Sequence, residues 1–267
     1  MAFYGQSFTF DETPCEAFDL MLYDIGDEEQ GDTVFASIPT IEDEVVGKRA
    51  VPYFYGVQFK EKLEFQIVFG VNQDRLNDGR FLDRYELDAV STWLTGHDHY
   101  KWFMVEQEDM TWIRYKCMIT ELNVVSYSHI PWALTATVTC DGPYAYMYPF
   151  SYEYEVRGSE TIEFYNESSM HGHYSPTIEI VLKQGGSFSI INETDNGRET
   201  KFENVPGSVS NIIVDNDHCV ITNDQSLNLY PYFNMKFLRL QQGYNTLRVT
   251  GNGVLRIHCE FPVNPGG

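Results

Sequence analysis

The chain has 267 residues, 43% of them apolar and 15% aromatic, and a formal net charge of −21. That length accommodates two domains with real cores and excludes a chain disordered over most of its course. The charge repels phosphate backbones, which excludes nucleic-acid binding as a main role.

Residues 1–47 hold twelve acids and no Lys or Arg. The run reads either as a solvated, solubilising segment or as an acidic face for a basic partner. The first strong strand signal is at 63–71, where Leu63, Phe65, Ile67 and Phe69 alternate onto one face. A helix is predicted at about 82–95, with Leu87, Val90 and Leu94 along its apolar stripe. Asp83 is its N-cap, Glu86 closes a capping box, and Gly96 ends it as a C′ residue would. Residues 112–117 and 133–139 are further strand candidates.

A domain boundary is expected near 142–160. Asp141-Gly142-Pro143 signals a turn, an aromatic connector runs from Tyr144 to Tyr154, and new strands start at Arg157-Gly158-Ser159. The resulting division is 1–150 and 151–267. Trp93, Trp102, Trp112 and Trp132 all precede it, and each is a candidate for core or for subunit contact. Beyond it, strands are predicted at 177–182, 187–192, 211–215, 246–250 and 254–261. Turns separate them at Gly185-Gly186, Asn196-Gly197, Pro206-Gly207, Gly243 and Gly251-Asn252-Gly253. That rhythm suits a β-sandwich or jelly roll, so the fold class is mainly β.

Catalytic signatures are missing. Gly-x-Ser-x-Gly, a Walker A loop, His-Glu-x-x-His and an EF-hand loop do not occur. The pairs His97/His99 and His171/His173 have chelating spacing, but no third ligand follows at a defined distance, and exposed or hydrogen-bonded histidines are the competing reading. No cofactor, metal site or enzyme activity is expected. The five cysteines are widely spaced without a CxxC, which points to reduced, buried thiols. Neither a signal peptide nor an apolar run of about 18 residues is visible, so no membrane partner is expected, and the sequons at 166–168 and 192–194 carry no message. Tyr230, Tyr232 and Phe233 offer rings for sugar stacking or for plain packing.

Several motifs in order resemble the siphophage distal tail protein family. They are Trp93-Leu94-Thr95-Gly96, then Tyr100-Lys101-Trp102-Phe103, the tight turn Glu108-Asp109-Met110, and Trp112-Ile113-Arg114-Tyr115-Lys116-Cys117. Cys140-Asp141-Gly142-Pro143-Tyr144-Ala145 closes that series. Downstream, His173-Tyr174-Ser175-Pro176-Thr177-Ile178, then Ile212-Ile213-Val214-Asp215, and Phe237 to Leu247 resemble the family's galectin-like second domain. The resemblance spans roughly residues 60–261.

The resemblance implies an N-terminal β-sandwich or barrel-like domain with one α-helix and a β-hairpin arm, followed by a galectin-like β-sandwich. It implies a structural hub at the virion tail tip, assembled in the host cytoplasm. A hexameric ring would join the tail tube protein to the tail-associated hub protein, with the second domain holding receptor-binding or baseplate proteins. The segment 57–71 is the candidate arm, with Phe59, Leu63, Phe65, Ile67 and Phe69 as ring contacts. The acidic segment 24–44 is either a lining of the ring's channel or a solvated loop. The alternative function is a carbohydrate-binding adhesion module that grips host-wall polysaccharide through Tyr230, Tyr232 and Phe233.

Overall fold

The computed structural model describes residues 5–25, 40–47, 51–59, 62–108 and 110–264. Asp27, Glu28, Glu29 and Asp32 of the acidic run, and Asp109 of the predicted turn, lie outside the described residues. The chain forms two compact units, Met1–Tyr146 with Asn264–Gly267, and Met147–Val263.

The first unit contains β1 (Ser7–Phe10), β2 (Thr13–Pro14), β3 (Leu20–Ile25), β4 (Thr40–Glu44), β5 (Tyr53–Gln58) and β6 (Glu64–Val71). The helices α1 (Gln73–Asn77) and α2 (Arg84–Thr95) follow, then β7 (Lys101–Glu106), β8 (Ile113–Tyr127), β9 (Ile130–Cys140) and β10 (Ala145–Met147). The main sheet runs β2-β1-β7-β8-β9-β6-β3, with β10 added on β8. Its two ends meet where Leu22 N–H donates to Gln6 O at 2.8 Å, which gives the sheet a barrel-like closure. Inside, Phe8 contacts Phe69 and Phe103, while Phe65 contacts Phe103 and Tyr115, with centroids 5.2–5.9 Å apart.

The helix α2 has both bonds of the predicted capping box, Glu86 N–H to Asp83 Oδ1 at 2.8 Å and Asp83 N–H to Glu86 Oε2 at 2.9 Å. Val90 and Leu94 are buried, and Leu87 is half-buried. Trp93 fastens the helix to the sheet. Its ring stacks on Phe18 at 4.6 Å, and its indole N–H donates to Phe10 O. Gly96 corrects one expectation, because its φ is −75° and not left-handed. A Cβ there would sit 2.5 Å from Thr92 O, so close approach explains the glycine. A second helix, α1, was not predicted; Asn72 caps it by accepting from Arg75 N–H.

The second unit contains β11 (Phe150–Asn166), β12 (His173–Tyr174), β13 (Thr177–Leu182), β14 (Gly186–Asn192), β15 (Arg198–Val205), β16 (Asn211–Asp215) and β17 (Val220–Asn223). It closes with β18 (Leu240–Gln241), β19 (Gly243–Cys259) and β20 (Pro262–Val263). The expected connector from Tyr144 to Tyr154 is therefore partly strand, since β11 begins at Phe150. The two predicted strands at 246–250 and 254–261 are likewise one bent strand over most of their length.

Strands β11 and β19 pair in an unbroken antiparallel ladder from Phe150↔Cys259 to Asn166↔Gly243. On the far side of β19, residues 247–250 pair with β14 and residues 253–258 pair with β13. The ladder thus turns a corner and serves two layers, β15-β14-β19-β11 and β17-β16-β13-β19-β11. The corner is at Gly158, which has φ +91° and faces Gly251. A Cβ on Gly251 would lie 2.3 Å from the Phe188 ring, and one on Gly253 would lie 2.2 Å from Val181 O. Ile178, Ile180, Phe188, Phe202, Leu247 and Ile257 are buried between the layers.

Gly243 has the expected positive φ of +82°, and Asn245 Nδ2 donates to Gln241 O and Gly243 O as its short polar side chain suggests. All five cysteines are free. Cys15, Cys117, Cys140 and Cys259 are buried, and Cys219 is exposed. Burial pushes the Cys140 and Cys259 thiols up to about 12.

Candidate functional site

The described residues contain no group of His, Cys, Asp or Glu arranged to hold a metal ion. His97 bonds Trp93 O at 2.7 Å, His99 bonds Asp98 at 2.6 Å, and His173 faces Asp195 at 3.6 Å, so each has a local partner. Asp195 is buried, and the Arg239 guanidinium forks onto it at 2.6 and 3.0 Å, holding its carboxyl below the usual range. A polar chain joins Ser151 Oγ to His258 Nδ1 at 2.6 Å, and His258 Nε2 to Glu179 Oε2 at 3.6 Å. It links cross-strand neighbours of β11, β19 and β13, and Arg256 and Asn211 also donate to Glu179.

The expected ring contacts are placed differently by the structure. Leu63, Phe65, Ile67 and Phe69 are only 0–4% exposed. Their apolar face packs into their own barrel and leaves no surface for a neighbour. Phe59 is half-buried with its ring 5.3 Å from Tyr144. Of the segment 57–71, Val57 and Gln58 belong to the exposed strand β5 and Glu64–Val71 is the core strand β6.

The arm-like element is the hairpin of β4 and β5, which forms a separate two-stranded sheet. Tyr55 OH donates to Glu44 at 2.7 Å and Gln58 Nε2 donates to Glu42 at 2.9 Å, so cross-strand polar pairs brace it. Ile41 is 63% exposed, Phe54 66% and Tyr55 64%. Phe54 pairs with Asp43, while Tyr55, at a bulge in the ladder, bonds Glu44 on the other face, and exposed side chains lie on both faces. An isolated two-stranded ribbon is marginal in water, and this one buries little apolar area of its own.

A second projection is the tip of the β8–β9 hairpin. Ser128 and His129 both have positive φ, the geometry of a two-residue primed turn. Tyr127, Val124 and Ile130 are exposed beside it. The four tryptophans divide: Trp93 packs into the first core, Trp102 lies 3.7 Å under the Arg114 guanidinium, Trp132 meets Tyr23 edge-on, and Trp112 is exposed.

Two of the three predicted sugar contacts line one depression. Phe233 is buried against Phe202 and Phe237. Tyr230 is exposed, and its hydroxyl donates to Cys219 O at 3.0 Å. Tyr232 and Phe233 both line an open depression of about 330 Å³, with Pro231, Glu203, Asn204 and Asn234, and of the two only the half-buried Tyr232 is accessible.

The motif residues have structural work. Asp141 accepts from Tyr146 OH at 3.1 and 3.2 Å, and burial raises its carboxyl against that hydrogen bond. Gly142 O accepts from Leu63 N–H, and Leu63 O accepts from Cys140 N–H. These bonds tie the end of β9 to the start of β6.

A family model described as phage tail protein N-terminal domain matches residues 3–142, and one described as phage tail C-terminal domain matches residues 144–259. No curated protein matches the chain. Among solved structures, the Dit protein (gp 19.1) of phage SPP1, described as a paradigm of the hub adsorption apparatus in phages infecting Gram-positive hosts, is similar at TM-score 0.70 and 10% identity. That match covers 96% of this chain and 98% of the other. Chains of the phage P2 baseplate in its activated conformation, with Ca and with Sr, score 0.48 and 0.45 at 9% identity, with 90% of each chain covered. The described residues contain no helix long and apolar enough to cross a membrane. The chain belongs to the phage tail proteins that carry this pair of N-terminal and C-terminal domains, and it has the fold of a distal tail protein.

Proposed function

We propose that the protein is a structural hub of the tail tip, in which first units assemble side by side into a closed hexameric ring and second units hold receptor-binding or baseplate proteins. The ring joins the tail tube protein to the tail-associated hub protein and carries out no catalysis. The observation that carries this reading is the β4–β5 hairpin, a ribbon with apolar side chains open on both faces. Covering it with a neighbouring subunit removes that apolar area from water at about 25 cal/mol per Å². Each subunit then gives its hairpin and receives another, the head-to-tail contact that a cyclic ring repeats until it closes. The same bulk acidity that repels DNA suits a channel through which DNA passes without sticking.

Light scattering on the purified full chain tests the reading. Multiple-subunit mass is expected, and Phe54→Glu is expected to return it to monomer while the fold persists. Unchanged mass in that variant removes the hairpin from the assembly.

The depression beside Tyr232 supports a second reading, contact with host-wall polysaccharide, because a ring, a proline and amide side chains converge there. Calorimetric titration with wall saccharide, abolished by Tyr232→Ala, is the result that favours it.

A further inference from the structure

The second unit treats its sheet edges unequally. The edge at β15 is covered by the unit's own chain. Phe233 bridges Phe202, Asn234 N–H donates to Lys201 O at 3.0 Å, and Asn234 Nδ2 donates to Glu199 O at 2.8 Å. Strand β11 is the edge of both layers for its whole length and pairs only with β19. Among the described residues, no backbone hydrogen bond reaches its outer side. Every second residue of such an edge points its N–H and C=O outward, which makes the edge a template for another strand.

The two halves of β11 differ in charge. Before the corner, Glu153 pairs with Arg256, and Glu155 pairs with Arg157 and Lys183. After the corner, Glu160 and Glu163 are exposed, and no ion pair among the described residues engages either. This half ends on two cross-strand tyrosines, Tyr165 and Tyr244, whose rings meet at 4.8 Å and of which Tyr244 is 73% exposed. A bare backbone edge, two uncompensated carboxylates and an open aromatic step thus lie along eight residues.

The chemistry selects the occupant. A second copy of the same strand is disfavoured. Antiparallel pairing about Gly158 sets Glu153 opposite Glu163. Like charges directly opposite are destabilising. Glu160 and Glu163 are three residues apart and face opposite sides of the sheet, so a strand with two Lys or Arg three positions apart, one on each face, matches the carboxylates, and a cationic or aromatic side chain matches the tyrosine faces.

We propose that the outer edge of β11 from Ser159 to Asn166 accepts an extended, basic segment of a partner protein as an added strand, with one side chain of that segment on the Tyr165–Tyr244 pair. It rests on the hub reading only for the presence of a partner.

The probe is a ten-residue synthetic peptide of Val and Thr with Lys at two positions three apart and one Phe, and its control carries Glu for Lys. Both are titrated into the full chain by fluorescence anisotropy, with amide hydrogen exchange read on the complex. The account expects the Lys peptide to bind at least about tenfold more tightly than the control and to slow exchange across 159–166. Glu160→Gln with Glu163→Gln, and separately Tyr244→Ala, are expected to weaken it about tenfold. Binding without protection of 159–166 overturns the proposal, because it reports only attraction to an acidic surface. Equal binding by all variants, or no binding of the Lys peptide, overturns it as well and leaves the glutamates as guards against self-pairing. The same samples are imaged for rings. Rings without peptide binding reject this site alone, and peptide binding without rings rejects the hub reading alone.

Discussion

Arg75 places its Nη2 2.9 and 3.1 Å from the two carboxylate oxygens of Glu86, the side chain that also closes the capping box of α2. The same nitrogen donates to Phe81 O, and Nη1 lies 3.9 Å from Asp19. One buried guanidinium therefore binds α1, the loop before α2 and the first turn of α2 together. Glu86→Ala removes both the cap and the main partner of Arg75, and is expected to cost about 2 kcal/mol in urea unfolding. Glu86→Gln keeps an N3 acceptor and is expected to cost less than half of that.

The corner of the second sandwich gives a ranked pair. A Cβ at Gly251 meets the Phe188 ring, which has some freedom to turn, whereas one at Gly253 meets the Val181 carbonyl oxygen of the adjacent strand. Overpacking of this kind costs about 1–3 kcal/mol. Gly253→Ala is expected to lower the thermal midpoint more than Gly251→Ala. Equal shifts would mean that the backbone at the corner adjusts as easily as a ring.

Acid stability of the second unit depends on Asp195. The hydrogen bonds from Arg239 lower its folded-state pKa, with burial opposing and His173 and Arg198 adding attraction. A depressed carboxyl contributes stability that is full above its unfolded value, about 3.9, and is lost as pH falls through the folded value. The difference between the native chain and Asp195→Asn is therefore expected to shrink below about pH 4. A difference that grows as pH falls below about 4 contradicts the assignment.

Thiol chemistry separates one cysteine from four. Burial raises the thiols of Cys15, Cys117, Cys140 and Cys259, and a protonated, enclosed thiol is a poor nucleophile. Native protein is expected to react quickly with a disulfide reagent at Cys219 alone. Cys219→Ser removes the fast phase, and unfolding restores reaction at the other four.

What the sequence revealed follows the range of the interactions. Helix α2 was legible because its cap, its stripe and its terminating glycine all lie within sixteen residues. Helix α1, five residues long, is too short to show a period. The sequence of β19 suggests two strands because Gly251-Asn252-Gly253 has the local chemistry of a turn. Its continuity is imposed by β11, about a hundred residues earlier in the chain. The alternation in β6 was correct, but alternation does not say which core receives the apolar face; β3 and β9 place it inside the barrel. The β4–β5 hairpin left little pattern because both its faces are open. Adjacency in sequence puts Phe233 with Tyr230 and Tyr232, whereas its burial depends on Phe202, a strand away.

The central claim is annular assembly through the first unit. Negative-stain class averages of the full chain test it most directly. Closed rings with six-fold symmetry and a central hole are the expected result, and Phe54→Glu should disperse them. Isolated monomers at every concentration, or open filaments with no closure, would contradict it.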